Sequence, residues 1–235
     1  MNDDEPAVPE RAPRGTVTKR TVDAFLDEVD RQPPSRGRLI FGLDATASRQ
    51  ATWDHAAHLT ARMFSAADQA GGLALRLCFF RGFREFRAGP WHRDAVPLQR
   101  AMASVRCAAG HTQIERLLRF ALEETRRERI AGLIFVGDAC EEPIDRVAGV
   151  AGELGLLGTP VFAFQEGQDR AAREVFAAVA RASGGVHARF DHSAAHRLSS
   201  LLHAVAIFAA GGRDALARLG RTDSVARALL EDLPR

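Results

Sequence analysis

Arg38-Leu39-Ile40-Phe41-Gly42-Leu43-Asp44-Ala45-Thr46-Ala47-Ser48 is the stretch that decides the fold. An apolar run stops at an aspartate, and hydroxyls follow two and four residues beyond it. A strand buried on both faces of a parallel sheet reads as such a run. Ligands of open α/β sheets gather just past the carboxyl ends of these strands. Alternate positions in the following turn can aim the oxygens of Asp44, Thr46 and Ser48 at one point. A set made only of oxygens suits a hard cation, Mg²⁺ or Mn²⁺. Alone the motif is ambiguous, because a turn that starts a helix favours the same residues.

Two later segments complete it. Gly110-His111-Thr112-Gln113-Ile114 opens a helix and offers a third hydroxyl, Thr112. Ala131-Gly132-Leu133-Ile134-Phe135-Val136-Gly137-Asp138 is a second apolar strand ending in aspartate. Together the three segments resemble the metal-ion-dependent adhesion site (MIDAS) of von Willebrand factor type A (VWA) domains. That pattern is Asp-x-Ser-x-Ser, then a threonine at a helix start, then an aspartate after a later strand. The matching positions are Asp44, Thr46, Ser48, Thr112 and Asp138, with Thr46 standing where serine is commoner and keeping the hydroxyl.

The resemblance covers residues 37–210 and implies a doubly wound, Rossmann-like three-layer α/β/α domain with a mostly parallel sheet. It implies hydroxyls that touch the metal directly and aspartates that often act through water. The ion then stays electrophilic, and an open position takes a Glu or Asp from a protein partner. Mg²⁺ keeps several waters, so such a site favours exchange over permanent occupancy. Intracellular members commonly work beside ATPases or chaperones in multiprotein assemblies, which makes that partner class an expectation here.

Outward from the motif the pattern alternates. Residues 1–36 are charged and Pro-rich and read as a tail with a short amphipathic helix at 22–29. A helix follows Ser48 and ends at Gly71-Gly72. Strands are expected at 73–80, 132–137, 161–165 and 186–190, with 83–87 as the antiparallel hairpin partner of 73–80. Helices are expected at 94–104, 112–127, 143–156, 171–182 and 196–210. Strands separated by helices argue for a parallel sheet covered on both faces, with one antiparallel edge strand. Residues 211–235 read as a C-terminal helical appendix whose apolar stripe (Leu216, Leu219, Val225, Ala226, Leu229, Leu230) is expected to pack on the domain.

At 235 residues the chain can hold one α/β domain with a sizeable core, or two small domains, and the composition agrees with one compact domain plus tails. The balance of 32 basic against 30 acidic residues argues against nucleic acid as the main partner. Lys19 is the only lysine, an arginine bias that points to a GC-rich genome. Cys78, Cys107 and Cys140 form no CxxC pair and point to a reduced, cytoplasmic setting, and a bacterial-type VWA domain is expected. No run approaches membrane-spanning length. Oligomeric state is not legible.

Each site residue also has an ordinary role. Ser48 can cap a helix, and Thr112 with Glu115 fits a capping box. The rival from another class is a phosphatase of the haloacid dehalogenase type, with Asp44 as nucleophile and Gly137-Asp138, Glu141 and Glu142 at the metal. Against it, the second aspartate needed as general acid is Thr46. The phosphate-binding lysine is also missing, because Lys19 precedes both motifs. No nucleophile with its base stands near the site, so a binding module rather than an enzyme is expected.

Other groupings carry less. His55 and His58 with Asp54 are ordinary on a surface helix, and His187, His192 and His196 read as surface or loop residues. Cys140 is too soft for a hard ion. Arg81, Arg84, Arg87, Arg93, Arg100 and Arg106 read mostly as a solvated face that an acidic partner could use. Glu141 and Glu142 are positioned to tune affinity or partner choice.

Overall fold

Six strands form one sheet in the order β3-β2-β1-β4-β5-β6 in the computed structural model, which describes residues 37–46, 59, 62–67, 70–190 and 195–234. The strands are β1 (Gly37–Asp44), β2 (Leu73–Arg81), β3 (Glu85–His92), β4 (Gly132–Gly137), β5 (Val161–Glu166) and β6 (Val186–Phe190). Only β3 runs antiparallel, paired to β2 at the edge. The helices are α1 (Ala95–Ala103), α2 (Ile114–Arg127), α3 (Ile144–Leu156), α4 (Arg170–Ser183), α5 (Ala195–Leu219) and α6 (Ser224–Asp232). The tail 1–36 with its expected helix, Ser48, Asp54, His55, His58 and His192 lie outside the described residues.

Alternation along the strands builds two cores. Leu39, Phe41, Leu43, Leu75, Leu77, Ile134, Val136, Phe162 and Phe164 face one side and pack with α1, α5, α6 and the helical residues 62–67. Ile40, Cys78, Phe80, Leu133, Phe135, Val161 and Ala163 face the other and meet α2, α3 and α4. This is the three-layer α/β/α arrangement, with strands apolar on both faces because both are covered. Gly42 marks a close approach of α2 to β1: a Cβ there would lie 2.5 Å from a methyl of Leu117.

Chain order fixes where a site can form. From β1 the chain continues to β2 on one side, and later enters β4 on the other, so the crevice beyond the carboxyl ends of β1 and β4 is a topological switch point. Leu43 stands opposite Val136 in the register. Asp44 is therefore one residue past that pair on β1, and Asp138 two residues past it on β4.

Three local expectations are corrected. The hairpin strand runs Glu85–His92 rather than 83–87, because the turn occupies Gly82-Phe83-Arg84 and the strand continues through Gly89-Pro90. Pro90 is tolerated there because β3 is an edge strand with a register shift opposite Arg76–Cys78, where Arg76 Nε donates to Gly89 O at 2.7 Å. Helix α2 begins at Ile114, two residues later than expected. The C-terminal segment is two helical pieces: α5 continues past a break at Gly212 (φ 67°) to Leu219, and α6 starts where Asp223 caps Val225 and Ala226. Leu216, Ala226 and Leu229 of its stripe are buried in the first core.

Candidate metal centre

Asp44 ends β1 almost wholly buried, 1% exposed. Its Oδ1 accepts the N–H of Thr46 at 2.8 Å, an Asx-type turn that brings the Thr46 side chain back over the strand end. Thr112 stands just before α2 and is also buried. Asp138 follows β4 and is half-buried. Asp44, Thr46, Thr112 and Asp138 line one cavity of about 250 Å³, together with Ala109, Gly110, Ala139 and Glu141. Ser48, the fifth expected residue, lies outside the described residues.

Thr112 does not form the capping box with Glu115 that its spacing allows. The residue at the cap position is Gln113, whose side chain caps nothing, and Glu115 is turned to Arg119 and Arg146 instead. The cap comes from the far loop: Glu142 accepts the N–H of Ile114 at 2.5 Å through Oε2 and that of Glu115 at 2.9 Å through Oε1. Beside it, Glu141 Oε2 accepts the Thr112 hydroxyl at 2.7 Å and the Thr112 N–H at 3.1 Å. Two carboxylates thus hold the amino end of α2, where unpaired N–H groups and the helix dipole favour negative charge. Burial raises the Glu141 carboxyl, but the Thr112 hydroxyl and N–H outweigh it and hold the group below its usual range.

That pairing bears on the metal. A hydroxyl whose proton goes to a carboxylate keeps its lone pairs for a cation. The lining donors are all oxygen, two threonine hydroxyls and the carboxylates of Asp44, Asp138 and Glu141, which fits Mg²⁺ or Mn²⁺ and disfavours soft metals. The set is mixed rather than purely acidic: among the described residues no group of three or more His, Cys, Asp or Glu is placed to hold a metal. Cys140, next to Glu141, is kept out of this chemistry, since burial pushes its thiol up to about 11 and its Sγ faces the Glu142 carbonyl at 3.8 Å.

Of the other candidates, His187 is half-buried on β6, with Nε2 3.2 Å from Gln165 Oε1. Burial and the charges of Arg189 and Arg173 lower its pKa. His196 is exposed on α5. Glu142 is the functional-site residue whose role sequence reasoning missed. Its only signal was its place four residues after the site aspartate Asp138.

No protein-family model and no curated protein matches the sequence. Solved structures do match in fold. The SpRpn10 VWA domain superposes with a TM-score of 0.53 at 9% identity, over 67% of this chain and 89% of that one. The chain has the VWA fold. The pilus adhesin SpaC from Lactobacillus rhamnosus GG matches at TM-score 0.60 and 11% identity, over 76% of this chain and 30% of its own. A structure of proximal thread matrix protein 1 from the mussel byssus, described with a zinc-occupied MIDAS motif, matches at 0.50 and 17%, over 74% and 45%. Among the described residues no helix is long and apolar enough to cross a membrane.

Proposed function

We propose that this chain is a metal-dependent protein-interaction module. Asp44, Thr46, Ser48, Thr112 and Asp138 would hold Mg²⁺ or Mn²⁺ as a MIDAS, and a partner would complete the ion's shell with a Glu or Asp. The observation that carries this reading is the convergence of Asp44, Thr46, Thr112 and Asp138 on one cavity at the switch point of a VWA fold. The bound ion supplies a positive bridge between two proteins. The chain's own part is to aim the oxygens, and Glu141 orients the Thr112 hydroxyl by taking its proton.

Support also comes from a VWA-fold neighbour described with zinc in its MIDAS, which speaks for a divalent ion without choosing among them. In this reading the module performs no covalent chemistry, works in the cytoplasm of a bacterium, and serves an assembly containing an ATPase or chaperone. Partner association should require divalent metal and be lost in EDTA. Association that persists in EDTA would contradict the metal bridge. Steady hydrolysis of p-nitrophenyl phosphate that disappears in Asp44→Asn would replace the module by the phosphatase.

A further inference from the structure

We propose that the β2–β3 turn is the second half of the partner-binding surface, where Phe83 and its arginines dock an acidic protein segment carrying a large apolar side chain. This rests on reading the cavity as the point of partner engagement, and it names the partner's chemistry.

The turn forms part of the cavity's surroundings. Gly82 N–H donates to Ala108 O at 3.4 Å, and Ala108 N–H donates to Ala45 O at 3.0 Å, beside Asp44. Gly110, which lines the cavity, lies so close to Gly82 that a Cβ on it would fall 2.1 Å from Gly82 O. Gln113 Nε2 donates to Glu85 O at 3.2 Å, and Arg116 donates to Arg84 O at 2.8 Å. The turn is thus bound to both sides of the loop that carries Thr112.

At its tip Phe83 is 82% exposed, the only strongly exposed aromatic among the described residues. Arg84 holds φ at 61°, the only non-glycine with positive φ among the described residues. Such a conformation costs about 1–3 kcal/mol and collects at binding sites. The Arg84 guanidinium lies 5.5 Å from the Phe83 ring centroid. An exposed aromatic flanked by arginine is the composition of an interface anchor.

Charge selects the occupant. Residues 81–116 hold seven arginines against three carboxylates. Glu85 answers Arg81 and Arg87, but among the described residues Arg84, Arg106 and Arg116 are exposed and form no ion pair. An acidic chain complements these three while one of its carboxylates reaches the metal. Single-stranded nucleic acid would want several stacking aromatics, and the tip offers one. A lipid surface would likewise find a single ring to insert.

The test uses the full chain and labelled peptides followed by fluorescence anisotropy: a glutamate-leucine peptide, its leucine-to-alanine analogue and an arginine-leucine counterpart. Phosphatidylserine vesicles and oligothymidylate serve as rival ligands. The glutamate-leucine peptide should bind best. Phe83→Ser should weaken it about fivefold or more, and Arg84→Glu with Arg106→Glu about tenfold. Both variants lie on the exposed surface, and circular dichroism with unchanged Mn²⁺ binding shows that they fold and keep the cavity. Hairpin-dependent peptide binding without Mn²⁺ binding would uphold this surface and sink the metal bridge. Mn²⁺ binding with peptide affinity indifferent to Phe83 and the arginines, no acidic peptide binding at all, or preference for the vesicles or the oligonucleotide would overturn the proposal.

Discussion

The hydroxyl of Thr112 donates to Glu141 at 2.7 Å, joining the loop before α2 to the loop after β4 across 29 residues of sequence. Both residues line the same cavity, so one bond orients a candidate metal ligand and ties together the two loops that carry it. Supporting bonds of this kind typically change metal affinity by about 10–100-fold when removed. Glu141→Ala should therefore weaken Mn²⁺ binding by about tenfold or more, and Glu141→Gln, whose amide oxygen still accepts the hydroxyl, by less. Equal loss in both variants would mean that charge rather than orientation is what Glu141 supplies.

Glu142 caps α2 in place of the residue at its own amino end. Loss of a helix cap costs about 0.5–2 kcal/mol. Glu142→Ala should lower the urea midpoint by a matching amount, with an unchanged m-value. No change in midpoint would show that solvent caps α2 equally well.

Gly42 lies under Leu117, with no room for a Cβ. Gly42→Ala should destabilise by about 1–3 kcal/mol through overpacking, again read from urea unfolding. The companion variant Gly42→Ala with Leu117→Val should recover part of that loss, because it relieves the same contact. Absence of recovery would place the strain elsewhere.

Burial raises the Glu115 carboxyl, but Arg119 and Arg146 outweigh it and leave the group below its ordinary value. A carboxyl depressed on folding stabilises the fold above its unfolded value and loses that effect as the pH falls through its folded value. Glu115→Gln should thus cost about 0.5 kcal/mol at neutral pH, discounted for solvent screening. The gap to wild type should close as the pH drops below about 4. A gap independent of pH would contradict the ion pairs.

Strand ends were the most legible part of this chain. Apolar runs halted by Asp44 and Asp138 marked two neighbouring strands, and the helices between them marked a parallel sheet. Less legible was whatever depended on distant partners. Thr112 and Glu115 satisfy the capping-box spacing, yet Glu142, 28 residues beyond Ile114, takes the cap, and no local pattern announces that. The expected strand 83–87 stops short of Gly89-Pro90, through which β3 continues to His92. The Arg76 bond to Gly89 O that carries it onward is long-range. The Phe83 turn read as part of a solvated arginine face, since exposure and closeness to the cavity are properties of the fold alone.

Mn²⁺ titration followed by electron paramagnetic resonance, on wild type and Asp138→Ala, is the sharpest test of a metal at the strand ends. Asp138 is the better choice for the variant, because Asp44 is buried and also holds the Thr46 turn. Wild type should show saturable one-site binding that is abolished in a folded Asp138→Ala. Folded wild type that binds no Mn²⁺, or a variant that binds it as tightly as wild type, would contradict a metal site there.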